Sequence, residues 1–193
     1  MPRSSPDPRR LPALAPDERR AINVIVETAR GSRNKFAYDE DACLFRLTKV
    51  LPEGMAFPHD FGFVPSTLAE DGDPLDVLVL MDEPAFAGCL ITCHVLGAIL
   101  GDQAQSRKPR ARAVRNDRIV AVALASRTHE DLRALDDLNE SMLAQVEAFF
   151  VHYHATLGKR YRLLGRQGPQ AAWRLVERAA RAWQAAEKRR GEK

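Results

Sequence analysis

Asp71-Gly72-Asp73-Pro74-Leu75-Asp76-Val77-Leu78-Val79-Leu80 joins a turn carrying three carboxylates to an unbroken apolar run, with a second proline at Pro84 beyond it. Glycine, proline and aspartate cannot continue a helix here, and Val77–Leu80 is too short to be one, so the run reads as a strand buried on both faces. Ile22–Val26 is a β-branched run of the same kind, followed by the turn-prone Arg30-Gly31-Ser32-Arg33-Asn34. Phe36, Tyr38, Leu44, Phe45 and Leu47 predict two further short strands around the acidic turn Asp39-Glu40-Asp41. Residues 89–100 and 118–125 predict two more, separated by the basic, polar stretch 101–117, read as a long loop.

The period changes after residue 140. Met142, Val146, Phe149, Phe150, Tyr153 and Leu157 recur at helical spacing, and Pro169 opens a second helix, over 169–190, with Trp173, Val176, Ala180 and Trp183 on one stripe. Short strands followed by two helices predict a compact barrel with helices packed outside it, an α+β arrangement that is mainly β. Residues 1–18, rich in proline and arginine, are read as a flexible arm, and 19–193 as a single domain.

A chain of 193 residues can bury one core. Its formal net charge of +3 is too small to single out a nucleic-acid or membrane-surface protein, although residues 103–118 set six basic side chains against Asp117 alone. Cys43, Cys89 and Cys93 are an odd number without paired spacing, which excludes a disulfide framework or zinc ribbon and fits a reducing cytoplasm. No stretch has the apolar length of a signal or a membrane span, so a cytoplasmic protein is expected.

Three carboxylates within six residues repel one another, and a bound cation relieves that repulsion. Oxygen-only donors favour Mg²⁺, with Mn²⁺ as a substitute. An EF-hand fails on register: position 6 counted from Asp71 is Asp76, where that loop needs glycine. A plain Asp/Gly/Pro surface turn is the alternative. Arg30, Arg33 and Lys35 lie in or beside a Gly/Ser/Asn turn, where cationic side chains and backbone N–H groups can face an anion. A solvated loop is the more frequent explanation for such a run.

Arg30–Lys35, Phe57–Thr67 (FPHDFGFVPST) and Glu70–Val79 (EDGDPLDVLV) together resemble the soluble family I inorganic pyrophosphatases, over about Ile22 to Tyr153. The resemblance implies an OB-like, five-stranded closed β-barrel with two flanking helices, Mg²⁺ ions, a homo-oligomer and hydrolysis of diphosphate. By position, Asp71, Asp76 and Asp102 fall on metal ligands, Asp73 on the residue that orients or deprotonates the attacking water, and Glu27 and Lys35 on polar site residues. Tyr153 falls on a phosphate-contacting tyrosine, and Lys49, Arg118 and His154 fall on basic substrate-binding positions. A further metal ligand falls on Asn116 or, with a one-residue slip, on Asp117. Ala37 replaces a usual glutamate, Phe57 and Phe61 replace tyrosines, Lys49 an arginine, and Arg118 and His154 lysines. These departures leave room for a different phosphoanhydride or phosphoester, or for a weakly active relative that binds polyanions through its basic loop and tail. In that loop, Arg107, Lys108, Arg110, Arg112 and Arg115 have no family counterpart and read as a solvated loop or as a lid over an anionic substrate.

Overall fold

The computed structural model describes residues 7–18, 20–104, 106 and 112–191. Its strands are β1 (Ala21–Thr28), β2 (Asn34–Asp39), β3 (Leu44–Val50), β4 (Asp60–Val64), β5 (Leu75–Leu80), β6 (Leu90–Ala104), β7 (Ala113–Arg115) and β8 (Arg118–Ala123). Helix α1 (Glu140–Thr156), strand β9 (Arg160–Gln167) and helix α2 (Pro169–Gly191) complete the chain. Among the described residues no helix is long and apolar enough to cross a membrane.

Five strands close on themselves in the order β1, β4, β5, β8, β6, with β6 returning to β1. All contacts in this ring are antiparallel except β5–β8, which is parallel. Closure removes the open edges of a short-stranded sheet. The expected five-stranded closed barrel with two helices is the observed architecture.

Two apolar clusters divide the side chains. The first draws Ile22, Val64, Val77, Val95 and Ile119 from the five ring strands and is covered by Ala172, Val176 and Ala179 of α2. The second takes Phe61, Leu78, Leu96 and Val120 from four of them and packs against Leu143, Val146 and Phe150 of α1. Alternate residues of β5 therefore enter different clusters, Val77 and Val79 the first, Leu78 and Leu80 the second. That is why the run is apolar without interruption.

Three features differ from expectation. Residues 7–18 pack on the body instead of forming a free arm: Ala13 is buried, Leu14 bridges to Ile22, Arg9 pairs with Glu40, and Arg10 with Glu187 at 2.9 Å. The alternation of β2 and β3 builds a separate hairpin outside the ring. Between the helices lies β9, paired along the far half of β6. The loop residues Arg107, Lys108 and Arg110, like residues 1–6 of the arm, lie outside the described residues.

Candidate functional site

The parallel pairing of β5 and β8 brings the starts of both strands to the same end of the barrel. Val77 is registered with Ile119, so Asp76 and Arg118, one residue earlier in each, are neighbours, with Nη2 3.7 Å from Oδ2. The antiparallel partner β6 ends beside the start of β8, adding Gln103, and the last turn of α1 adds Tyr153 and His154. Lys35 and Lys49, cross-strand partners in the β2–β3 hairpin, close the other side. Together with Asp71, Asp73, Asn116 and Lys159 these side chains line a cleft of about 150 Å³, walled by Phe57, Phe61 and Phe150.

The acidic turn is held by its own backbone. Gly72 N–H donates to the Ala69 carbonyl at 3.2 Å, and Ala69 N–H to the Asp73 carbonyl at 2.8 Å. Gly72 has φ +95°, a conformation costly for any residue with a Cβ. Buried Thr67 anchors the exit, accepting from Leu75 N–H at 2.9 Å and donating to the Val64 carbonyl at 2.5 Å.

Charge is crowded here. Burial first, then Asp76 and Asp73, push the Asp71 carboxyl up to about 6. Burial also raises Asp76 to about 6, against the pull of Arg118 and Lys35. The Arg118 guanidinium lies 4.0 Å from the Phe150 ring centre and 4.5 Å from that of Tyr161, and donates to the Asn116 carbonyl at 3.1 Å. Its Nε is buried and has no hydrogen-bond partner. Burial holds the Tyr153 hydroxyl protonated, up to about 12. Lys49 is lowered by burial and by the charges of Lys159 and Lys35. Burial, then Arg118, drives the His154 imidazole down to about 4, so the ring is neutral.

Not every sequence-predicted residue reaches the cleft. Asp102 pairs with Arg162 at 2.6 Å, and Asp117 pairs with Arg115 at 2.7 Å and accepts from Gly101 N–H. Asp117 lines a separate groove beside Leu68 and Arg178 of α2. Their chain neighbours Gln103 and Asn116 face the site instead, and both donate to Asp71 Oδ2, at 3.4 and 2.8 Å. Adjacent strand residues point to opposite faces, so Asp102 and Asp117, expected as metal ligands, turn away from the cleft and the amides Gln103 and Asn116 face it.

Arg30 and Arg33 are spent on the carbonyls of Asp82 and Leu51, leaving Lys35 as the member of that run that lines the cleft. Glu27 lies at the edge of the cleft, where its charge is felt by Asp76 and Tyr153. Its carboxylate accepts from Tyr38 N–H at 2.9 Å, and burial raises it against the opposing charge of Lys35. Ala37 lines a separate open depression on the hairpin. His154 reaches the cleft, but both ring nitrogens are engaged within the protein, by the Phe150 carbonyl at 2.8 Å and Gln103 at 3.2 Å. Lys159, just past the C-terminus of α1, was missed because no spacing pattern marks a lysine after a helix end.

The family described as inorganic pyrophosphatase matches residues 24–184. This chain belongs to the inorganic pyrophosphatase family. It is 34% identical over 166 residues to the inorganic pyrophosphatase of Nostoc sp., covering 84% of this chain and 91% of that one. It is 35% identical over 160 residues to that of Synechocystis sp., covering 81% and 88%. The crystal structure of the Thermus thermophilus inorganic pyrophosphatase superposes with a TM-score of 0.82 at 28% identity, covering 92% of this chain and 99% of that one. Pyrophosphatases are enzymes, and the Asp71–Asp76 turn, β5 and the C-terminal half of α1 all lie inside the matched region.

Proposed function

We propose that this protein hydrolyses inorganic diphosphate to two phosphates with the help of Mg²⁺, for which Mn²⁺ can substitute. The observation that carries the reading is the opposition, across one 150 Å³ cleft, of Asp71, Asp73 and Asp76 to Lys35, Lys49 and Lys159. Such a cleft suits a small, highly charged anion.

The donor set fits a hard divalent cation. Asp71, Asp73 and Asp76 offer carboxylate oxygens, the like-charge repulsion at Asp71 is unrelieved, and neither a thiol nor a free imidazole competes. Among the described residues no three acidic, histidine or cysteine side chains converge closely enough to hold a metal ion as they stand, so the three carboxylates would have to draw together around it. When bound, the cation neutralises phosphoryl oxygens and acidifies water.

The protein's own groups do the rest. Asp73, exposed and flanked by the other two carboxylates, orients the attacking water and takes its proton. Lys35, Lys49 and Lys159 attract and align the anion, and Tyr153, held protonated, donates a hydrogen bond to a phosphoryl oxygen. Arg118 is almost wholly buried and acts through Asp76, keeping that carboxylate ionised and in register instead of gripping substrate.

The test is release of phosphate from diphosphate by the purified chain, with and without Mg²⁺. Asp73→Asn should lower kcat by about two to four orders of magnitude, the range of general acid–base catalysis. Unchanged release by Asp76→Asn would sink the reading. A parallel assay with nucleotides and polyphosphate separates diphosphate from other phosphoanhydrides.

A further inference from the structure

Residues 7–11 join the two walls of the cleft without lining it, and Arg9 touches both. Asp7 caps a single 3₁₀ turn, Pro8–Arg10, by accepting from Arg9 N–H at 3.0 Å. The Arg9 carbonyl then accepts from Ser66 N–H at 2.7 Å, and Ser66 Oγ donates to the Leu11 carbonyl at 2.8 Å. Ser66 has φ +49°, a left-handed conformation uncommon for a residue with a Cβ. Its neighbour Thr67 anchors the exit of the acidic turn by accepting from Leu75 N–H. The Arg9 backbone therefore bears on the acidic wall.

The side chain of the same residue reaches the other wall. Its guanidinium pairs with Glu40 at the tip of the β2–β3 hairpin, whose base carries Lys35 and Lys49. It also lies 5.5 Å from the Trp183 ring centre, and one turn further along α2 Glu187 takes Arg10 at 2.9 Å. The Arg9 side chain is 14% exposed and its Nε is buried without a hydrogen-bond partner, so removing Glu40 would leave a sequestered charge uncompensated. A two-stranded hairpin outside the ring is marginal by itself. Thr28 holds it at Phe36 and Glu27 holds it at Tyr38. Neither reaches the tip, which Arg9 fixes.

We propose that Arg9 is a positioning residue for diphosphate: its carbonyl holds the acidic wall, its guanidinium holds the lysine hairpin, and one residue thereby sets the separation between them. This rests on the reading that the cleft takes diphosphate. With a cleft of about 150 Å³, a tilt of the hairpin withdraws Lys35 and Lys49 from the anion while the acidic turn stays in place. Those lysines attract and align the substrate before any bond breaks. Loosening them therefore costs KM more than kcat.

Two readouts on the full chain test this, one of them independent of turnover. Spin labels on exposed Cys43 at the hairpin tip and on α2 through Ala185→Cys, in a Cys89→Ser background, report the hairpin–helix distance by double electron–electron resonance. Arg9→Met, which keeps an unbranched stem beside Trp183 without the charge, should broaden that distance distribution. In the unlabelled chain it should raise KM for diphosphate about 3- to 10-fold, with kcat within about twofold of wild type. Arg9→Lys, which restores the charge, should recover both, and Val176→Ala, a packing defect in the cluster under α2, should move neither. An unchanged KM in Arg9→Met, or a raised KM with no broadening, overturns the proposal. Absence of hydrolysis by the wild-type chain would instead overturn the diphosphate reading on which it rests.

Discussion

Asp71 and Asp76 sit where two opposing demands meet: the proposed cation needs ionised oxygens, and the fold withdraws the carboxylates from water. Each is raised from 3.8 to about 6 in the metal-free protein. A carboxyl whose pKa is higher folded than unfolded binds more protons in the folded state between those values. Its contribution to stability therefore falls as pH rises through the window from about 4 to 6. Asparagine at position 71 keeps an acceptor for Asn116 without the charge. With EDTA present, Asp71→Asn should melt a few degrees above wild type at pH 7 and level with it at pH 4, as read by calorimetry. A difference of equal size at both pH values would show that charge is not the cause.

The acidic turn and β5 form the element that carries the site, and their coupling runs through Thr67. Thr67→Val keeps the shape but leaves the buried Leu75 N–H without an acceptor, which should cost about 1–3 kcal/mol in urea unfolding. Because Asp73 and Asp76 flank that residue, kcat should fall together with stability. Gly72→Ala forces a side chain into φ +95° and should cost about 1–2 kcal/mol. This element was the most legible part of the sequence. Its strand is apolar without a break because it feeds two clusters, and its turn announces itself through glycine, proline and three like charges. The end of β6 was not legible. Its ladder with β8 shifts register between Val95 and Gly97, with Leu96 as the extra residue of β6, and such a bulge reverses which of two neighbours faces inward. Local sequence cannot reveal that shift, so Asp102 was read for Gln103. Strand β9 itself, RYRLLGRQ, mixes three arginines with its apolar residues and owes its existence to long-range pairing with β6. The same long-range logic hid the ordering of residues 7–18, whose partners Glu40, Ser66 and Glu187 are remote in sequence.

At the scale of the whole molecule, the two apolar clusters assign different duties to the two helices. Helix α2 covers the cluster fed by all five ring strands and contributes no side chain to the cleft, whereas α1 sends Phe150, Tyr153 and His154 directly into it. The ring of Phe150 also lies against the Arg118 guanidinium, which in turn neighbours Asp76. Stability and catalysis should therefore separate by helix. Val176→Ala, fully buried under α2, should cost about 1–3 kcal/mol in urea unfolding and leave kcat under folding conditions within about twofold. Phe150→Leu should cost a comparable amount of stability and also lower kcat about tenfold or more, because the guanidinium loses the aromatic face that holds it beside Asp76. Phosphate-release assays on both variants, at temperatures where each is more than 95% folded, decide the matter: equal losses of kcat would mean that the barrel transmits packing defects to the cleft without regard to which helix carries them.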